Sequence, residues 1–461
     1  MQWNRTQLAS ISENDFAGAE VFDEFSVGTY TPLHFEEVIQ VLAAPRPSAL
    51  RAAFAGVIGN VLEWFDFAVY GYFATDIGRQ FFPHSNAVAQ QLLAFAVFAV
   101  GFFARPFGSL ALGTIGDRIG RRALLTLSIA LMGGSTLMLG LLPTYAQVGV
   151  AAPLLLVALR LIQGFSVGGE FTGSMVFTTE AASWKNRGLV SSSTAAGTTI
   201  GFILGSGSAW LINSVLSADQ VAIWGWRLPF LASVIFCIAG WLLRRGLHET
   251  AEGQLAATKR PPLFHSLISD WLPMAQTFGI VAMTAAAYYL TFTFMVERRK
   301  SAGASAAAFL FANTLGLVVL LISKPIGGWL SDRVGRRRLM LIMTAVIMAF
   351  VYPAFQMMLT GTPQQFMLGQ FLLAIPMGLG LGLQGAMVVE IFPLRTRVMS
   401  MSIAYSVSMA VAGGSAPLVS AWLTERFGHP LAPAYFVMAL GIIGLIVMWP
   451  MAETNYAALD E

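Results

Sequence analysis

The sequence predicts an all-α membrane protein of twelve transmembrane helices, in two six-helix halves related by a pseudo-two-fold axis. Three observations predict it. Of the 461 residues, 56% are hydrophobic and 11% charged, with a mean hydropathy of +0.68; soluble domains are nearer a quarter charged. Apolar stretches recur, each close to the roughly 20 residues a helix needs to cross a bilayer core. Finally, Gly113-Thr-Ile-Gly-Asp117-Arg118-Ile-Gly-Arg121-Arg122 returns 215 positions later as Gly328-Trp-Leu-Ser-Asp332-Arg333-Val-Gly-Arg336-Arg337. Both copies read G-x-x-x-D-R-x-G-R-R between two long apolar segments. A duplicated membrane bundle is a common construction of secondary transporters, with the substrate at the interface between the halves.

The elements follow in order. Residues 1–45 carry seven acidic side chains from Glu13 to Glu37 and no basic start before an apolar run. They read as a disordered cytoplasmic tail and not as a secretory signal. After Pro45-Arg46-Pro47 the first half (46–245) places spans at 52–75, 89–114, 123–142, 152–178, 188–213 and 226–245. The first basic hairpin joins spans two and three. Residues 246–271, with Pro261-Pro262 and mixed charge, link the halves on the cytoplasmic side. The second half (272–452) repeats the order at 272–296, 305–330, 338–359, 364–390, 397–422 and 433–452, with the second hairpin between spans eight and nine. Residues 453–461 form a short tail. Of the 27 Lys and Arg, 18 fall in the N-terminal segment and the loops on its side, against five opposite. The positive-inside rule therefore puts both termini in the cytoplasm.

A net charge of +3 and a pI near 9.1 reflect those loops. No span-free domain is left to hold a nucleic-acid surface. The five histidines avoid the span centres, so no metal cluster or histidine relay is expected, and no phosphate-binding loop or cofactor motif appears. Cys237, the single cysteine, lies in an apolar span and reads as packing. The expected partners are a small molecule, protons and the bilayer, with the chain acting as a monomer and not as an enzyme.

A second correspondence aligns the halves. Glu180 ends span four and Arg187 follows seven residues on; Glu390 ends span ten and Arg397 follows at the same interval. Twenty residues before each glutamate stand Arg160 and Gln370; ten before stand Glu170 and Gly380. The charged chemistry thus collects in the first half. The hairpins, with Asp117, Arg118, Arg121 and Arg122 in one and Asp332, Arg333, Arg336 and Arg337 in the other, read both as topological anchors and as gating contacts. An aspartate beside arginines can hold a helix end in one state of a rocking bundle and release it in the other. Glu180 and Glu390 join that gating set.

Glu63 and Asp66 lie near the middle of span one, three residues apart and so on one helix face, with Asn60 and Tyr70 along it. A carboxylate at that depth must be paired, hydrated or protonated. Two readings fit: a proton-coupling group, or a structural pair held by Asn60 or an arginine. Arg160, with Gln163 beside it, sits in the outer half of span four and Glu170 in the inner half. Buried arginine must face a carboxylate or a wet cavity, so Arg160 either binds an anionic substrate or pairs with Glu63 or Asp66. Gly164, Gly168 and Gly169 let span four approach a neighbour. Arg105 and Lys324 each precede a proline in the inner half of their spans and read as side chains that snorkel to the cytoplasmic surface. In the second half Tyr288, Tyr289, Asn313, Gln370 and Gln384 offer hydrogen bonds to a cavity. The basic turn Glu297-Arg298-Arg299-Lys300 breaks the charge rule; it either draws anions to the mouth or is a solvated surface turn.

The paired hairpins resemble the signature of the major facilitator superfamily. Gly59-Asn60-x-x-Glu63-Trp64-Phe65-Asp66-Phe67, Phe81-Phe82-Pro83, Arg160-Leu-Ile-Gln-Gly-Phe-Ser-Val-Gly-Gly-Glu170 and Trp224-Gly-Trp-Arg227-Leu-Pro-Phe230 are similar to its metabolite:proton symporter family. The resemblance implies the major facilitator fold and proton-driven uptake across a bacterial-type inner membrane. The family's substrates include citrate, dicarboxylates, shikimate, proline and betaine. Arg244-Arg245-Gly-Leu-His-Glu249-Thr250 fits both the citrate and betaine branches, and a long charged heptad tail of the osmosensing carriers is not seen. Import of a small organic acid is the first expectation, a proline/betaine-type zwitterion the second, and a transport-fold nutrient sensor the third.

Overall fold

A computed structural model describes residues 49–455 apart from Gly120, 246–266, Ala302 and Ala304; side chains are not described at 49–58, 113–119, 121–125, Phe236, Trp241 and 243–245. The expected acidic tail, most of the linker and the last residues lie outside the described residues, as do the side chains of Asp117, Arg118, Arg121 and Arg122. By its contacts the chain divides after Arg46, and all the spans belong to the unit Pro47–Glu461.

The protein is all-helical and forms the expected twelve spans. Eight described helices are long and apolar enough to cross a membrane: Ala87–Leu112, Ala151–Glu180, Arg187–Val215, Trp271–Ser301, Ala306–Val334, Arg336–Thr360, Pro363–Glu390 and Arg397–Phe427. Ala49–Tyr72 and the shorter apolar helices Thr126–Leu141, Gly225–Gly240 and Ala432–Met448 complete the set as spans one, three, six and twelve. The duplication is visible in the packing. Span one packs on five, two on four, three on four and six; seven packs on eleven, eight on ten, nine on ten and twelve. The contacts between halves obey the same two-fold: five meets eight as eleven meets two, five meets ten as eleven meets four.

Glycine lets these crossings close. A Cβ on Gly164 would lie 1.8 Å from the Gly101 carbonyl oxygen, one on Gly108 2.0 Å from that of Phe165, and one on Gly168 2.2 Å from Ser109 N, so spans two and four touch backbone to backbone. The equivalent crossing of spans eight and ten uses Gly327 and Gly382, whose added carbons would meet Leu379 O at 2.1 Å and Lys324 O at 1.9 Å. Small residues at such crossings replace hydrophobic driving force, absent in lipid, with close dispersion contact. Gly169 has a different job. Its φ of +90° breaks span four between Ser166 and Glu170, a backbone state open to glycine at little cost.

Spans seven and eleven each contain a π-helical stretch, Leu290–Phe294 and Met409–Gly414. Such insertions are rare and concentrate at functional sites; these two flank the interface between the halves.

The glycine crossings are testable. Gly164→Ala should cost about 1–3 kcal/mol of stability through overpacking, lowering the apparent melting temperature in detergent. Gly173→Ala, with nothing within 4 Å of the added carbon, should not. Equal melting temperatures for the two variants would show that the crossing yields freely.

Candidate functional site

Span one carries two carboxylates on one face, and the fold supplies each with its own arginine. Asp66 and Arg160 meet at 2.7 Å, both fully buried. Gln163 Nε2 donates to the second Asp66 oxygen at 2.9 Å and to Thr136 Oγ1 at 2.9 Å. The Arg160 guanidinium lies 3.9 Å from the Tyr70 ring centre, and Tyr70 itself donates to Ala94 O at 3.1 Å. Glu63 and Arg105 meet at 2.9 Å, likewise buried. Arg105 stacks over Phe102 at 4.4 Å, Phe67 at 4.6 Å and Trp64 at 5.4 Å. Phe67 also lies 5.6 Å from Arg160, so one ring stands between the two guanidinium groups. Opposite charges this deep are tolerable because each is paired with the other.

Arg105 therefore does not snorkel; it is the partner of Glu63. Its spacing from the hairpin gave no hint, because the partner lies on another span. Asn60 faces span four, donating to Ser174 Oγ at 3.3 Å. Glu170, at the start of the inner helix of span four, accepts from Ser128 Oγ at 3.1 Å.

Between the halves lies a cavity of about 50 Å³. The first half contributes Trp64, Phe171, Met175, Ser191, Ala195 and Thr198 to its wall; Tyr288, Tyr289, Lys324, Gln384 and Tyr405 supply polar and aromatic surface from the second. Gln384 is held by Ile280 O at 3.1 Å and Thr284 Oγ1 at 2.8 Å. Gln370 points elsewhere, donating to Asn313 Oδ1 at 2.6 Å and Thr291 O at 3.1 Å. Asn60, Glu63, Asp66, Tyr70, Arg160, Gln163 and Gln370 do not line the cavity; Trp64, the neighbour of Glu63, does. Lys324, expected to reach for the surface, is 1% exposed and in the wall.

The halves are tied on both sides of this cavity. At the hairpin end Asp332 reaches across to the start of span five, accepting from Gly188 N at 2.8 Å and Leu189 N at 3.0 Å. A carboxylate on free N–H groups at a helix start is favoured by hydrogen bonding and by the macrodipole. Gly328 and Gly188 lie against each other's carbonyl oxygens, where added carbons would come within 2.4 and 2.6 Å. Gly335 turns the chain at φ +108°. Arg336 bridges Asp332 at 2.7 Å and Glu390 at 3.2 Å. Arg337 stays within its own half, donating to Met448 O at 3.1 Å, and Arg333 lies over Trp329 of its own helix at 3.9 Å.

The matched Glu–Arg spacings cross over. Arg187 of the first half pairs with Glu390 of the second at 3.3 Å, and Arg397 of the second with Glu180 of the first at 2.6 Å. At the far end Lys300 joins Asp76 at 2.7 Å and Glu297 at 3.2 Å, while Thr75 N donates to Glu297 at 3.1 Å. The segment Glu297–Lys300 continues the helix of span seven and is neither a solvated turn nor a free anion lure: Glu297 is buried and Lys300 is spent on carboxylates. Asn313 Nδ2 donates to Tyr72 Oη at 2.9 Å and Ser206 Oγ at 3.0 Å on the same side.

Comparison with known proteins fixes the family. Residues 277–457 match the model described as Major Facilitator Superfamily, and residues 52–253 match that of Sugar (and other) transporter. The chain is 32% identical over 421 residues to a proline/betaine transporter of Salmonella typhimurium, covering 88% of this chain and 83% of that one. It is 34% identical over 433 residues to a citrate-proton symporter of Klebsiella pneumoniae, covering 92% and 96%. The chain belongs to the major facilitator superfamily, in its metabolite:proton symporter family. It is a multi-pass integral membrane protein. The crystal structure of a D-xylose-proton symporter shares the fold, with a TM-score of 0.72 at 17% identity over 89% of this chain and 99% of that one.

The two crossed pairs differ in burial, which ranks them. Glu390 is fully buried and serves Arg187, Arg336 and the Thr454 hydroxyl, whereas the Glu180 side chain is 38% exposed. Glu390→Gln should weaken hairpin-end closure by about 3–5 kcal/mol, Glu180→Gln by at most about 1 kcal/mol. Thiol labelling of Ser191→Cys, in a Cys237→Ser background, reads the opening. Equal labelling in the two variants would remove Glu390 from the gate.

Proposed function

We propose that this chain is a proton-coupled symporter that imports a small carboxylate-bearing metabolite across a bacterial-type inner membrane by alternating access, with both termini cytoplasmic. The observation that carries the reading is the pair of buried carboxylate–arginine contacts on one face of span one, beside a cavity enclosed by two halves that are tied at both ends. A buried ion pair can change its bonding when a proton arrives. Protonated Asp66 loses its charge, Arg160 loses its counter-ion, and spans one and four lose the contact that sets their spacing. Glu63 and Arg105 stand one helical turn away in the same chemistry, and Glu170 is the third carboxylate of the set. Trp64 connects this face to the cavity wall.

The relatives named as proline/betaine transporters and as a citrate-proton symporter support coupling and a substrate with a carboxylate. Two substrate classes fit this reading, a small organic acid such as citrate or a dicarboxylate and a proline- or betaine-type zwitterion; the aromatic surface of Trp64, Tyr288, Tyr289 and Tyr405 in the cavity favours the zwitterion. The hairpin and Glu–Arg contacts act as the cytoplasmic gate, and the Asp76–Lys300–Glu297 cluster as the outer one. In this reading Arg160 releases Asp66 during the cycle rather than holding substrate throughout.

In proteoliposomes, Asp66→Asn should abolish accumulation driven by an imposed pH gradient while exchange of preloaded substrate persists. The amide still accepts from Arg160, so the fold is spared the full cost of an unpaired buried cation, about 3–5 kcal/mol. Glu63→Gln tests the neighbouring pair in the same assay. Normal gradient-driven accumulation by both single variants would place the coupling site elsewhere.

A further inference from the structure

We infer that Lys324 is the carboxylate-binding residue of the central cavity, and that the ligand it takes carries a single carboxylate on a compact apolar or quaternary-ammonium body. The inference rests on the carrier reading and names the ligand chemistry of its cavity. Lys324 is the only charged residue among those lining the wall. No described acidic side chain pairs with it. Its ammonium donates instead to three neutral acceptors on span five: Ala195 O at 2.6 Å, Thr198 Oγ1 at 3.3 Å and Thr199 Oγ1. Arg105, Arg160, Arg187, Lys300, Arg336 and Arg397, by contrast, each hold a carboxylate. A buried cation satisfied only by neutral groups is the one with room in its charge balance for an anion.

Its position is fixed from behind. The Lys324 carbonyl lies against Gly382 of span ten, so the backbone cannot retreat and the side chain spans the interface to the other half. A carboxylate arriving at Nζ would replace the span-five hydroxyls and carbonyl with a bond between opposite charges. Binding would then release a tether between spans five and eight, the helices that cross between the halves here. The rest of the wall includes Trp64, Phe171, Tyr288, Tyr289 and Tyr405. Those rings suit methyl, methylene or quaternary ammonium groups. They offer no counter-ion for a second or third carboxylate.

The test uses purified full-length protein and five probes: L-proline, glycine betaine, succinate, citrate and choline, the last being betaine's cationic body without a carboxylate. Binding is measured by calorimetry for the parent, Lys324→Gln and Lys324→Arg, with gel filtration confirming that each variant is folded. Removing an uncompensated buried charge should not harm folding. Proline or betaine should bind the parent more tightly than citrate, lose at least roughly tenfold in affinity in Lys324→Gln, and regain part of it in Lys324→Arg; choline should not distinguish the three. Unchanged affinity in Lys324→Gln overturns the site. Tighter binding of citrate or succinate than of either zwitterion overturns the ligand class, and failure of all five to bind the parent overturns both. Accumulation under a pH gradient, measured in parallel, separates this from the carrier reading: Lys324-dependent binding without accumulation removes the carrier and keeps the site, and accumulation of a probe that Lys324→Gln still binds does the reverse.

Discussion

A charge inside a membrane protein must have an opposite charge or a dense set of hydrogen bonds, and that constraint organises this structure. Lipid supplies neither, so each buried cation has to be met by a side chain on another helix. Asp66 meets Arg160 and Glu63 meets Arg105 within the first half; Glu390 meets Arg187 and Glu180 meets Arg397 across the hairpin end, with Arg336 joining Asp332 and Glu390 inside the second half; Asp76 meets Lys300 across the far end, where Lys300 also holds Glu297 of its own helix. The pairs inside the first half hold its helices in one arrangement. Those between the halves hold the bundle in one state.

Duplication explains why the same scaffold can be symmetric while its chemistry is not. Packing obeys the two-fold because it needs only small residues at matching crossings, and glycines stand at both. The hairpin-end pairs obey it because each Glu–Arg motif meets the other half's copy, Glu390 with Arg187 and Glu180 with Arg397. Inside the spans the rule lapses: Arg160 of the first half faces Asp66, while Gln370 at the matching place is tied to Asn313. The first half holds the ion pairs at the depth of spans one, two and four, the second contributes most of the polar cavity wall, and the cavity is built from both.

The twelve spans, the halves and the paired basic loops were legible in the sequence because lipid imposes length and hydropathy locally and because a repeat is a one-dimensional fact. The seven-residue Glu–Arg interval was also visible, as was the shared face of Glu63 and Asp66, since both follow from helix periodicity. Sequence alone also narrowed Arg160 to two roles, as its charge permits few. It could not choose between them.

Partners were what the fold alone decided. Arg105 and Lys324 look alike in the chain, each a cation before a proline in the inner half of a span, and both read as snorkelling. One is folded onto Glu63 under three aromatic rings, and the other onto neutral groups in the cavity wall. The segment Glu297–Lys300, which looked like a solvated turn, closes on Asp76 more than two hundred residues away in the chain. Hydrophobicity and period are properties of a segment, so a sequence carries them complete. Which buried charge faces which depends on distances between segments, and only the packed bundle sets those.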